Sequence, residues 1–183
     1  MTSSPYDVVP EVLIPEEQLQ ARVGAMAAEI HEKLGDHFVM VSLLKGAFLF
    51  TADLLRELGR LGARPSLDFM AISSYGSGTV SSGNVEVKMD LKEDLHGAQV
   101  LLVDDILDTG NTFMHVMAHL KQAGAREVMT CVLLNKQARR QQPIAADIIG
   151  FEVPDAFVVG YGIDWDNHFR ELPHVGVIPE ASH

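Results

Sequence analysis

Residues Val100 to Thr112 read VLLVDDILDTGNT. The apolar run from Gln99 to Val103 has the length and composition of a buried strand. Two acids, Asp104 and Asp105, stand at its carboxyl end, and a third, Asp108, follows. Thr109-Gly110-Asn111-Thr112 then opens a helix that runs from Phe113 to Ala123. In open α/β sheets, ligands gather outside the carboxyl ends of the strands. A glycine turn at a helix N-terminus offers unpaired N–H groups, and threonine hydroxyls add donors, which together can cradle a phosphate. The acids ahead of the cradle can accept hydrogen bonds from ribose hydroxyls or hold hydrated Mg²⁺. The plain alternative is a strand-to-helix turn capped by Asp and Thr.

The flanking sequence repeats the same alternation. Glu16 to Leu34 is amphipathic, with Leu19, Val23, Met26, Ala27 and Ile30 on one face. Phe38 to Leu44 reads as a buried strand, Ala47 to Leu61 as a helix and Ser66 to Ile72 as a strand. Ser73 to Asn84 is a Gly/Ser-rich loop, too long for a tight hairpin, and Val85 to Met89 is its return. Val128 to Leu134 is a further strand. The order implies an α/β fold with a mainly parallel central sheet flanked by helices. The tail from Gly150 is strand-like and rich in turns, a candidate small hood over the carboxyl edge.

Composition narrows the partners. The chain has 183 residues, 47% of them hydrophobic, which suits one globular domain. A formal charge of −11 disfavours general nucleic-acid binding and anionic membranes. Cys131, the single cysteine, lies in an apolar run and reads as a small buried hydrophobe, so no intrachain disulfide is expected. The N-terminal stretch lacks a basic region followed by an apolar one, and a cytoplasmic location is the expectation. His115 and His119, four residues apart, lack the acidic motif of a zinc helix.

VLLVDDILDTGNT resembles the phosphoribosyl-pyrophosphate signature of type I phosphoribosyltransferases. Leu43-Leu44-Lys45-Gly46 looks like that family's pyrophosphate loop, and Ser73-Ser74-Tyr75-Gly76 like its mobile lid. Leu134-Asn135-Lys136 and Phe157 to Asp164 (FVVGYGID) look like the base-binding elements of hypoxanthine-guanine phosphoribosyltransferases. These segments follow the family's order from Leu43 to Arg170. Asp104 stands where many members carry Glu, and Trp165 where Tyr is common.

The resemblance implies a type I phosphoribosyltransferase domain over residues 1–183, its hood built from the N-terminal segment and roughly residues 150–183. It implies transfer of the 5-phosphoribosyl group to hypoxanthine, and to guanine, giving IMP or GMP and pyrophosphate in purine salvage. Mg²⁺ would be held by Asp104, Asp105 and Asp164. Phosphoribosyl pyrophosphate would meet Lys45, Gly46, Asp104, Asp105, Asp108, Thr109, Gly110, Asn111, Thr112 and Arg170. Ser74 and Tyr75 would belong to the lid. Lys136, Phe157, Val158 and Asp164 would receive the purine. Asp108 is the expected general base at purine N7. The family resemblance implies a homodimer or homotetramer.

Three rival functions use the same residues. A phosphoribosyltransferase-like RNA-binding regulator would keep the fold without the catalysis, against the acidic charge. A Mg²⁺ phosphohydrolase would use Asp104 and Asp105. A phosphoribosyltransferase for another base, such as xanthine, adenine, orotate or uracil, would change the pocket. Lys136 and Phe157 favour a 6-oxopurine, but the sequence does not rank hypoxanthine, guanine and xanthine.

Overall fold

The structure, a computed structural model, describes residues 8–74 and 85–179. Nine strands and three helices alternate along it: β1 (Glu11–Ile14), α1 (Glu16–Leu34), β2 (Val39–Leu44), α2 (Phe48–Arg60), β3 (Ser66–Ser74), β4 (Val85–Met89), β5 (Gln99–Leu107), α3 (Asn111–Gln122), β6 (Glu127–Asn135), β7 (Ile148–Glu152), β8 (Phe157–Val159) and β9 (Val175–Ile178). Six strands form the main sheet in the order β4-β3-β2-β5-β6-β7. Its pairs are parallel, except that β4 runs antiparallel to β3.

The apolar runs are buried on both faces because helices cover both. Along β5, Leu101 and Val103 join the core under α1 and α2, while Val100 and Leu102 join the core under α3. That is the period of two expected of a strand, with neither face left to water. From α1 the sheet receives Leu19, Val23, Met26, Ala27, Ile30 and Leu34. From α2 it receives Phe50, Leu54 and Leu58, and from α3 Phe113, Val116 and Leu120 on the opposite face. Cys131 is fully buried, and desolvation pushes its thiol pKa up, as expected of a core residue.

The two ends of the described chain meet in a second sheet, of order β1-β9-β8 and antiparallel throughout. Val159, Phe169 and Ile178 form its own small cluster, while Val158 and Val175 reach into the main core. The sheet is built from the two segments in which a hood was expected, the N-terminal one and the tail.

Several boundaries shift by a residue or two, β3 running on through Ser73 and Ser74, which were expected in the loop, and two shifts bear on the site. The central strand does not stop at Val103, because β5 stays laddered to β6 as far as Leu107 opposite Asn135. Asp104 and Asp105 are therefore strand residues, not loop residues. In addition, α3 starts at Asn111, two residues before the apolar pattern begins at Phe113. None of the described helices is long and apolar enough to cross a membrane.

Candidate functional site

The parallel strands β2, β5 and β6 all end at one edge, and the sequence-predicted residues collect there. Asp104 and Asp105 are adjacent on β5, so their side chains leave on opposite faces. Asp104 is buried, and its Oδ1 accepts the Asp105 N–H at 2.9 Å. Burial, and then the negative charge of Asp105, raise the Asp104 pKa well above the ordinary carboxylate range. Asp105 is half-buried against the Lys45-Gly46 turn. A Cβ on Gly46 would lie 2.0 Å from Asp105 Oδ2, so only glycine admits this approach. Lys45 is exposed, and the peptide bond before it is cis.

The backbone turns at Gly110, where φ is +87°, and enters α3 with no side-chain cap and no acid in its first turn. A helix start left uncapped and free of carboxylates suits an anionic ligand. The turn is buttressed from behind. Thr109 O accepts the N–H groups of Gln141 (2.9 Å) and Gln142 (3.1 Å). The Asn111 side chain donates to Gln141 Oε1 (3.1 Å) and accepts from Gln142 Nε2 (2.7 Å). Asn111 is thus bound up in holding the loop, and its backbone N–H donates to Thr109 Oγ1 at 3.4 Å. A cavity of about 230 Å³ is lined by Thr112, Phe113 and residues 104–110.

Lys136 directly follows the adjoining strand β6 and is buried, not a surface charge. Its Nζ donates to the Ala156 carbonyl at 2.9 Å, with Asp155 Oδ1 at 3.9 Å. Asp155 is also paired with Arg139 at 2.7 Å. Phe157 opens β8 with 39% of its surface exposed, so it is not the core residue that its apolar strand would suggest. Its ring meets Trp165 edge-on, the centroids 6.4 Å apart. Trp165 stacks in turn on Phe169. Val158 is buried beside Phe157 and paired with Val177.

Asp164 and Arg170 are brought together directly. Arg170 Nη2 lies 2.8 Å from Asp164 Oδ1, and Nη1 donates to the Gly162 carbonyl at 2.6 Å. Asp164 Oδ2 accepts the Asn167 N–H at 2.7 Å. Gly162 packs on the Gly46 carbonyl, so the tail and the β2 turn are in contact. Among the described residues, two buried side-chain atoms lack a hydrogen-bond partner: Asp108 Oδ1 and Arg170 Nε. Both belong to the set expected to bind substrate. A buried polar atom without a partner costs about 1–3 kcal/mol, and such groups concentrate where a ligand completes them.

Ser74 ends β3, but Tyr75 and the rest of the expected lid, up to Asn84, lie outside the described residues. Sequence reading assigned no role to Arg140, nor any individual one to Asn135 and Tyr161, which it placed only within the base-binding segments. Arg140 and Asn135 form a hydrogen-bonded unit behind Asp108. The Tyr161 hydroxyl donates to Asp53 on α2, and burial raises its pKa. Arg140 carried a usable signal, since it sits four residues past Lys136 at the mouth of the same strand.

A helix-flanked parallel sheet with acids and an uncapped helix start at its carboxyl edge defines an α/β protein of the kind that binds ligands at that edge. The phosphoribosyl transferase domain family matches residues 15–166, and the chain belongs to that family. It is 44% identical over 172 residues to the hypoxanthine-guanine phosphoribosyltransferase of Aquifex aeolicus, covering 93% of this chain and 95% of the relative. It is 42% identical over 171 residues to the hypoxanthine phosphoribosyltransferase of Escherichia coli, covering 92% and 94%. The crystal structure of a hypoxanthine phosphoribosyltransferase from Staphylococcus aureus superposes with a TM-score of 0.90 at 34% identity, over 100% of this chain and 98% of that one. The fold is the type I phosphoribosyltransferase fold.

Proposed function

We propose that the chain transfers the 5-phosphoribosyl group of phosphoribosyl pyrophosphate to hypoxanthine, and to guanine, in purine salvage. Relatives named for this activity are similar over more than nine-tenths of the chain. The observation that carries the site assignment is the pair of unpartnered buried atoms, Asp108 Oδ1 and Arg170 Nε, on either side of the loop and hood.

In this reading, purine N9 attacks the ribose anomeric carbon. The bond to pyrophosphate breaks, and its electron pair leaves with pyrophosphate. The uncapped start of α3, with Thr109 and Thr112, holds the 5′-phosphate. Asp104 and Asp105 receive the ribose hydroxyls. The raised pKa of Asp104 favours its protonated form, which can donate as well as accept. Amides at the Lys45-Gly46 turn, together with the Arg170 guanidinium, meet pyrophosphate. Phe157 offers its exposed ring for stacking, and Lys136 donates to the purine O6. The backbone of Val158 and Asp164 meets the remaining polar edge. Asp108 takes the N7 proton as N9 bonds.

Among the described residues, no three His, Cys, Asp or Glu gather into a cage. One or two carboxylates at the strand end suit Mg²⁺, which keeps several waters and takes substrate oxygens besides. Asp105 would hold it, with Asp104 or Asp164, in its ionised form, as the second carboxylate. Bound there, Mg²⁺ supplies positive charge to the departing pyrophosphate. The family likeness further supports a homodimer or homotetramer.

The test is pyrophosphate release from phosphoribosyl pyrophosphate with Mg²⁺, run with hypoxanthine, guanine, xanthine or no base. Release that depends on hypoxanthine and ceases on chelation is expected. Release independent of base would replace the transferase reading with a phosphohydrolase.

A further inference from the structure

The Arg140 guanidinium is half-buried, and two of its nitrogens reach carbonyls at the back of the acidic loop. Nε donates to the Asp108 carbonyl at 2.8 Å. Nη2 donates to the Leu107 carbonyl at 3.1 Å and to Asn135 Oδ1 at 2.6 Å. Nη1 donates to the Ile144 carbonyl. Asn135 is itself fixed, because its Nδ2 donates to both Glu152 carboxylate oxygens, at 2.9 and 3.0 Å. The two loop carbonyls have a particular meaning. Leu107 C=O belongs to the peptide before Asp108, and Asp108 C=O to the peptide after it. Gripping both planes fixes φ and ψ of Asp108 together, since those are the only soft backbone torsions of the residue. The Asp108 side chain makes no compensating bond through Oδ1, which is buried and unpartnered. Its aim is therefore set from the backbone side.

We propose that Arg140 is a positioning residue for phosphoribosyl transfer, aiming the Asp108 carboxylate at the purine by clamping the peptide groups on either side of it. The inference rests on the reading of Asp108 as the base that faces the purine. Arg140 touches no substrate in this arrangement. A guanidinium suits the task because its planar fork serves several acceptors at fixed angles, which a single ammonium does not reproduce. The phosphate cradle has its own tether, through the Gln141 and Gln142 N–H groups on Thr109 O. Loss of the clamp should therefore mis-aim the base more than it loosens phosphate binding.

The experiment is a double-mutant cycle on the full chain, with Arg140→Lys, Asp108→Asn and both together. Turnover and KM are measured with phosphoribosyl pyrophosphate, hypoxanthine and Mg²⁺. Misplacing a reacting group by an ångström costs up to about 10²-fold. Arg140→Lys should lower kcat by about 10- to 100-fold on that basis, with KM for phosphoribosyl pyrophosphate changed less than about 3-fold. In the Asp108→Asn background the same substitution should cost less than about 2-fold, because the group being aimed is already disabled. An equal loss in both backgrounds, or an unchanged kcat in Arg140→Lys, would overturn the proposal while leaving the general-base reading intact. A normal kcat for Asp108→Asn alone would remove that reading, and the clamp with it. If Arg140→Lys does not fold by circular dichroism, Asn135→Ala, which takes away one acceptor of the same guanidinium, is put through the same cycle. A smaller loss confined to the Asp108 background supports the clamp, and an additive loss overturns it.

Discussion

The phosphate side and the base side of the cleft are built by opposite means. Asp104 to Thr112 is one continuous segment, in which a strand, a left-handed glycine and an uncapped helix follow in order. The base side is gathered from the end of β6, the start of β8 and a tail folded back through Asp164 and Arg170. A contiguous site depends mainly on local backbone geometry. A gathered site depends on tertiary packing, and its residues hold one another in place, although Arg170 Nε stays unpartnered. Lys136 donates to Ala156 O, and Asp164 is paired with Arg170. Asp108 Oδ1, on the contiguous side, has no partner, and Arg170 Nε is its counterpart on the gathered side.

The hardest test of that contrast is Asp108→Asn. The isosteric amide keeps the shape and cannot take a proton. Turnover should fall by about 10²–10⁴-fold, the usual span for a general base. Thermal stability should stay level or rise, since a buried unpartnered carboxylate oxygen is replaced by a neutral amide. Rapid-quench and melting data read the two effects separately. Near-normal turnover in the folded variant would take Asp108 out of the chemistry.

Lys136→Ala probes the other side. A desolvated charge-assisted hydrogen bond is worth roughly 1.5–3 kcal/mol, so hypoxanthine affinity should drop by about 10- to 150-fold. Affinity for phosphoribosyl pyrophosphate should change far less. Equilibrium titration of each substrate decides. The reverse pattern would assign Lys136 to the phosphoribosyl side and dissolve the contrast between the two regions.

This contrast also sets what could be read in advance. The layer order, the parallel sheet and the acidic loop were legible because each is written in local periodicity and turn chemistry. The extension of β5 through two aspartates was not, since a ladder to β6 overrides the low strand propensity of Asp. Lys136 and Phe157 could be named from resemblance, but their burial could not. A lysine beside two arginines looks solvated, and a Phe in an apolar strand looks like core. The burial of Lys136 follows from Ala156 folding over it, a contact twenty residues away. Tyr161 and Phe169 adopt left-handed backbone at φ 51° and 75°, which no pattern of side chains announces. Arg140 had only its position after Lys136 to mark it, because three of its four acceptors are backbone carbonyls, which leave no trace in a sequence.

A milder perturbation asks whether the phosphate side really depends on its backbone. Gly110→Ala places a Cβ at φ +87°, 2.8 Å from Ile144 Cγ2. The left-handed backbone alone costs roughly 1–2 kcal/mol for a residue with a side chain. Melting temperature should fall, and KM for phosphoribosyl pyrophosphate should rise while hypoxanthine affinity holds. An Ala variant with unchanged KM would show that the turn tolerates distortion, and the phosphate side would no longer be the local one.

The smallest effects separate acids that serve the ligand from acids that serve the fold. Asp68 and Asp104 both deviate from the ordinary value of 3.8, in opposite directions. Burial pushes Asp68 up, but the N–H groups of Glu93, Lys92 and Phe69 outweigh it and hold its pKa below that value. Its ionised form therefore stabilises the fold above pH 3.8, and the contribution is lost as pH falls through the lowered folded value. Burial and the charge of Asp105 raise Asp104 instead, so the folded chain binds the extra proton and loses stability as pH climbs from 3.8 to the raised value. At neutral pH in chelator and without substrate, Asp68→Asn should lower the melting temperature and Asp104→Asn should raise it. A net hydrogen-bond contribution is about 0.5–1.5 kcal/mol, which sets the scale for Asp68. Both differences should shrink in acid, the Asp104 difference vanishing below pH 3.8 and the Asp68 difference below its own lowered value. Melting curves of the three proteins against pH give the answer. Parallel curves would mean that neither carboxyl titrates with folding. A destabilised Asp104→Asn would mean that Asp104 holds the loop together, and is not an acid kept at a cost for the ribose.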